Sequence, residues 1–126
     1  MDTPKDLVID EGFARFRPEG HVKLEAAVAM IGHAIAFCRK EGIQNLLVDT
    51  TKLTGFPPPT IIERYWFVRE WAAEAAGAIR LAMVARPDFI DPQKFGVTVA
   101  MNAGLISDIF DSEPDAIAWL LAGRTD

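Results

Sequence analysis

Asn45-Leu46-Leu47-Val48-Asp49 is a short, solidly apolar run that ends in an acid. A strand with one wet face alternates apolar and polar residues, whereas a strand covered on both faces reads as a continuous apolar run. This stretch therefore reads as an inner strand of a parallel sheet, with helices on the sheet. Its flanks agree. Upstream, Val22 to Lys40 has a helical period, with Leu24, Val28, Ile31, Ile35 and Cys38 on one stripe. Gly42, just past Arg39 and Lys40, closes that helix as a left-handed cap. Downstream, Thr50 to Phe56 and the three prolines Pro57 to Pro59 form a stiffened loop. A long helix then runs from Thr60 to Ala76 and ends at Gly77.

Further out, Leu7-Val8-Ile9 and Phe13 to Arg17 flank the turn Asp10-Glu11-Gly12 as a β-hairpin, which Pro18-Glu19-Gly20 terminates. Ile79 to Ala85 is the next strand, ended by Arg86-Pro87. Asp91-Pro92 predicts a helix start, with Asp91 as N-cap and Pro at the first helical position. That helix carries Phe95, Val99 and Ala100 and stops near Gly104. Leu105 to Phe110 reads as a last strand. Ser112 then caps a final helix, with Asp115 three residues on and Gly123 at its end, and Arg124 to Asp126 form a frayed tail. The order ββαβαβαβα predicts an α/β fold, a mixed and mainly parallel sheet with helices packed on it. Residues 1–126 form a single domain, with no internal repeat.

Composition narrows the function classes. Thirteen Lys and Arg against eighteen Asp and Glu give 13 − 18 = −5 in 126 residues. A nucleic-acid binder carries a basic face or stripe, and neither is present. One cysteine excludes an internal disulfide and a cysteine-cluster metal site. Met1-Asp2-Thr3-Pro4-Lys5-Asp6 lacks the basic start and apolar run of a signal peptide. Ala26 to Cys38, the longest nearly uncharged run, is too short to span a bilayer. The expectation is a cytoplasmic protein with no membrane span, no metal and no cofactor.

The motifs, taken in order, resemble the SpoIIAA-like proteins, relatives of the STAS fold of anti-sigma-factor antagonists. Leu46-Leu47-Val48-Asp49 followed by Leu53-Thr54-Gly55 is similar to that family's strand-end aspartate and following loop. Ala82 lies in the next strand, and Ala100-x-x-x-Gly104 precedes the strand that ends at Phe110. Ala116-x-Ala118-Trp119-Leu120 matches the C-terminal helix signature. The resemblance runs from about Leu7 to Leu121 and rests on the order of individually loose motifs. It implies a mixed sheet with packed helices, in a family largely without assigned activity, some of whose relatives hold apolar ligands. One departure is clear. Where the antagonists carry a phosphorylated serine, this chain reads Phe56-Pro57-Pro58-Pro59-Thr60, so the usual phosphoswitch lacks its serine.

Two surfaces stand out as candidates. The first is the loop leaving the strand at Asp49, where open α/β sheets place their sites. It offers Asp49, Thr50, Thr51, Thr54 and Thr60, with Gly55 for close backbone approach. These residue types also serve turns and helix caps, so partner contact and plain turn chemistry both fit. The second surface comes from an excess of apolar residues on two helices. At roughly 100° per residue, Ile61, Tyr65, Val68, Ala72, Ala75 and Ala76 share the face of the second helix expected to meet the sheet. Phe67 and Trp71 then fall on one flank, and Ile62 and Trp66 on the other. On the first helix, Met30, His33 and Phe37 stand opposite the main stripe. Met30, Phe37, Trp66, Phe67 and Trp71 thus form a candidate homodimer or apolar-ligand surface.

The remaining chemistry-bearing residues read as structural. His21 and His33 have no ligand partners at local spacing, and Cys38 lies in a helix stripe as an inert thiol. Asp88, Asp91, Asp108, Asp111 and Asp115 sit at caps and strand ends. Three functions follow, in order. The first is a non-enzymatic module that binds a protein partner, as a homodimer. The second is a carrier or sensor of a small apolar molecule. The third is an enzyme built around Asp49, which would need a convergent polar group beside it.

Overall fold

A computed structural model describes residues 2–123, so the tail expected at 124–126 lies outside the described residues. The hairpin forms as read. β1 (Leu7–Asp10) pairs antiparallel with β2 (Phe13–Phe16), and Gly12 takes the left-handed conformation in the turn (φ 87°). β4 (Asn45–Asp49) lies parallel to β2 on one side and to β6 (Arg80–Val84) on the other. β7 (Ile106–Phe110) completes the sheet in the order β1-β2-β4-β6-β7, with only β1 antiparallel. The protein is thus α/β with a mixed, mainly parallel sheet of five strands. Two strands were not expected. β3 (Gly20–His21) and β5 (Leu53–Thr54) pair parallel in a small second sheet. At two residues each they are too short to show a hydrophobic period.

Four helices cover the sheet. α1 (Leu24–Lys40), α2 (Ile61–Ala75) and α3 (Phe95–Asn102) share one core with Leu46, Val48 and Leu81 of the sheet. α4 (Glu113–Ala122) covers the opposite face, where Ala116 and Leu120 pack on Phe13, Leu47, Ala82 and Val84. Leu46 and Leu47 therefore face different cores, which explains the unbroken apolar run. None of the helices among the described residues is long and apolar enough to cross a membrane.

The helix ends follow the signals in the chain. Glu41 caps α1, and Gly42 beyond it is left-handed (φ 72°). Thr60 and Glu63 form a reciprocal capping box at the start of α2. Ser112 accepts from the Asp115 amide at the start of α4. One start differs. α3 begins at Phe95, not at Pro92, and its N-cap is Lys94 in the left-handed region (φ 49°). Asp91 still serves that end, because its Oδ2 accepts from the Phe95 amide at 2.7 Å. The 91–94 segment makes a separate turn, closed by Lys94 N–H donating to the Asp91 carbonyl at 2.9 Å. A short 3-10 turn at Pro87–Phe89 precedes it.

Candidate functional site

The loop after β4 spends its polar atoms on itself and its neighbours. Asp49 Oδ1 accepts from the Thr51 amide at 2.9 Å and from the Thr51 hydroxyl at 2.6 Å. Thr50 Oγ1 donates to the Val84 carbonyl at 2.9 Å. Thr54 Oγ1 lies 3.4 Å from the Gly20 carbonyl and 3.2 Å from His21 Nδ1. Gly55 is strongly left-handed (φ 108°), and a side chain there would collide with the Val22 backbone. The six loop residues expected to contact a partner therefore all have a local structural task. Of these, Thr50 alone also lines the cavity described below.

Asp49 does meet a convergent polar group. Glu113, the first residue of α4, is gripped by Arg17 through Nε at 2.8 Å and Nη2 at 2.5 Å. This two-pronged contact holds the Glu113 carboxyl down, to about 2, against the opposing effect of its burial. Burial pushes the Asp49 carboxyl up, and the neighbouring Glu113 carboxyl adds to the rise, while the Thr51 bonds oppose it. Arg17, Asp49, Glu113, Pro18 and Lys52 bound a shallow recess. Both Glu113 oxygens are engaged by Arg17, and one Asp49 oxygen by Thr51. The cluster thus works as a clasp between the end of β4, the segment after β2 and the start of α4.

The five apolar residues expected on one outer surface do not share one. Phe37 is 2% exposed and Trp71 is 5% exposed, both inside the core under α1 and α2. Met30 and Phe67 are half-buried against the same core. Trp66 is left at the surface, where its Nε1 donates to Glu70 at 3.2 Å. The reason is the rotation of α2. Its buried residues are Val68, Trp71, Ala72 and Ala75, while Ile61 and Tyr65, assigned to the packing face, are exposed. Trp71 fixes that rotation, since its indole N–H donates to the Val28 carbonyl of α1 at 3.1 Å. Phe67 stacks on Trp71 with ring centroids 4.7 Å apart.

This rotation bounds a cavity of about 120 Å³ between α1, α2 and the sheet. Leu24 and Val28 come from α1, Phe67, Val68 and Trp71 from α2, and Leu81, Met83 and Ile109 from the sheet. Two loop segments flank the remaining, partly open side with Phe56 and Phe89, which meet edge to face at 5.9 Å. Arg64 ties those segments together. Its Nε donates to the Pro59 carbonyl at 3.0 Å and its Nη1 to the Phe89 carbonyl at 3.3 Å. Arg86 reinforces them, stacking on Phe89 at 4.5 Å and donating to the Thr51 and Leu53 carbonyls.

The polar groups in the cavity wall are few: Thr50, Arg64, Asp91, Lys94, Ser107 and Asp108. Lys94 Nζ pairs with Asp108 at 2.7 Å, and Asp91 is held by the Phe95 amide. An apolar enclosure with a few fixed polar groups is the usual form of a small-molecule site. Phe67 and Trp71 were expected on a dimer or apolar-ligand surface, Thr50 in the partner loop and Asp108 as a strand-end residue, while Arg64 and Lys94 were not singled out as site residues. Arg64, Lys94 and Asp108 stand on α2, in the turn before α3 and on β7, and no local spacing joins them.

No protein-family model matches this chain, and comparison with curated proteins returns no match.

Proposed function

We propose that this chain is a cytoplasmic binding protein without catalysis of its own, which holds a small apolar molecule between α1, α2 and the sheet. The cavity carries this reading: a partly open apolar pocket of about 120 Å³, flanked by two loops that Arg64 ties together. Kinship with the STAS-like domains is part of the proposal. The mixed sheet, with its antiparallel first strand, supports it. Two measurements test the ligand reading. Native mass spectrometry of protein taken from cells should show an added small mass, and calorimetry should show uptake of toluene. Met83→Phe, which adds a ring on the sheet side of the void, should abolish uptake without lowering the melting temperature. A wild-type protein that takes up neither cellular ligand nor toluene would sink the reading.

A protein partner is the second reading, with a homodimer as its simplest form. It rests on the start of α2, where Ile61, Ile62 and Tyr65 are exposed together and Ile62 is 82% accessible. Sedimentation velocity should then show a concentration-dependent dimer that Ile62→Glu dissociates. A wild-type monomer at high concentration would remove the homodimer.

A further inference from the structure

The cavity wall carries a charge pattern that narrows the ligand, and the argument here rests on the proposed ligand-binding function. Lys94 and Asp108 neutralise each other at 2.7 Å. Asp91 is occupied in capping α3, with Phe95 N–H donating to its Oδ2. Arg64 has no such partner. No carboxylate among the described residues lies within ion-pair distance of it, and its two hydrogen bonds go to carbonyl oxygens. Nη2 makes none of these bonds and is open to solvent, so its N–H groups are free to meet a ligand. An anion that reaches this guanidinium gains a charge-assisted hydrogen bond.

We propose that the occupant is an aromatic monocarboxylate, its single ring in the void and its acid group on Arg64. The ring follows from size and walls. About 120 Å³ excludes a two-tailed lipid, and Phe56, Phe67, Trp71 and Phe89 present aromatic faces and edges. The single charge follows from the neighbours. A dianion such as a phosphate monoester would lie near the Asp91 and Asp108 carboxylates with one uncommitted cation to offset it. A carboxylate matches the planar guanidinium and adds one negative charge.

Four probes test this by calorimetry on the wild-type protein near neutral pH: toluene, phenylacetamide, phenylacetate and octanoate. Phenylacetate should bind about tenfold more tightly than phenylacetamide, which has the same shape without the charge. Octanoate, an acid with a flexible chain, should bind more weakly than phenylacetate. Arg64→Met should erase the preference for phenylacetate over phenylacetamide and leave toluene uptake in place. Arg64→Lys should keep part of it. Near-UV circular dichroism checks that both variants keep the Trp71 environment. If toluene binds but phenylacetate gains nothing over phenylacetamide, the acid-group proposal is overturned while the cavity reading stands. If octanoate outcompetes phenylacetate, the aromatic assignment is overturned. If toluene itself does not bind, the cavity reading fails as well. The wild-type comparisons stand alone should Arg64→Met not fold.

Discussion

Phe37 and Trp71 show how a residue's task depends on what its neighbours leave open. Each sits off the stripe expected from its helix's sequence, and each is buried because α1 and α2 pack on one another. Phe37→Glu or Trp71→Glu would place an uncompensated charge in that core. Either substitution is expected to cost more than about 4 kcal/mol and to prevent folding, as read by far-UV circular dichroism and urea titration. A folded monomer would contradict the burial. Gly55 is a different kind of constraint. With φ at 108° and the Val22 backbone against it, Gly55→Ala combines backbone strain with a clash. An expected loss of about 2 kcal/mol or more, measured by urea denaturation, would distinguish this glycine from a loop glycine of convenience. Cys38 is buried as the stripe predicts, and burial pushes its thiol up to about 12.

Elements were legible where a single local signal decided them. The apolar run of β4, the hairpin turn at Gly12 and the Ser112 cap each appear as read, and of the two roles open to Thr60 the helix cap is present. α2 was legible as a helix but not in its rotation. An even 100° spacing treats every apolar residue alike, whereas the Trp71 indole must find a hydrogen-bond partner when buried, and Val28 supplies it. The start of α3 was misplaced for a related reason. Asp91-Pro92 has the residue types of a cap, but the chain makes a separate turn there, with Lys94 left-handed, before the helix begins. Of the cavity, only Phe67 and Trp71 were legible as apolar-ligand candidates, because its charged groups come from α2, the turn before α3 and β7. At α2 itself, Thr60→Ala removes one half of the capping box. It should cost about 1 kcal/mol in urea denaturation and leave toluene binding unchanged. Altered binding would mean that the cap also sets the position of Arg64.

At the scale of the whole molecule, the clasp at Asp49 and Glu113 is expected to make the response to acid asymmetric. Glu113 titrates far below its ordinary value of 4.5, at about 2. The stability it contributes is therefore full above 4.5 and is lost as pH falls toward 2. Asp49 is shifted upward by burial and by Glu113, so its contribution has the opposite sense. It is full below the ordinary carboxylate value and is lost as pH rises through the raised one. Urea midpoints measured across this range should fall on the acid side in the wild type. Glu113→Gln should flatten that acid limb, and Asp49→Asn should remove the loss on the other side. An unchanged acid limb in Glu113→Gln would mean that the clasp does not tie α4 to the sheet.

The three tryptophans stand in three distinct places. Trp71 is at the cavity wall, Trp66 is on the outer face of α2, and Trp119 lies under Arg80 on the opposite side of the sheet. The protein thus carries separate optical reporters for its interior, its surface and its far layer. Replacing Trp66 and Trp119 with phenylalanine would leave one emitter whose wavelength reports on the void. Its indole N–H is bonded to Val28, so that emitter is held in one orientation. Its emission would follow occupancy of the void directly, whatever the occupant's chemistry.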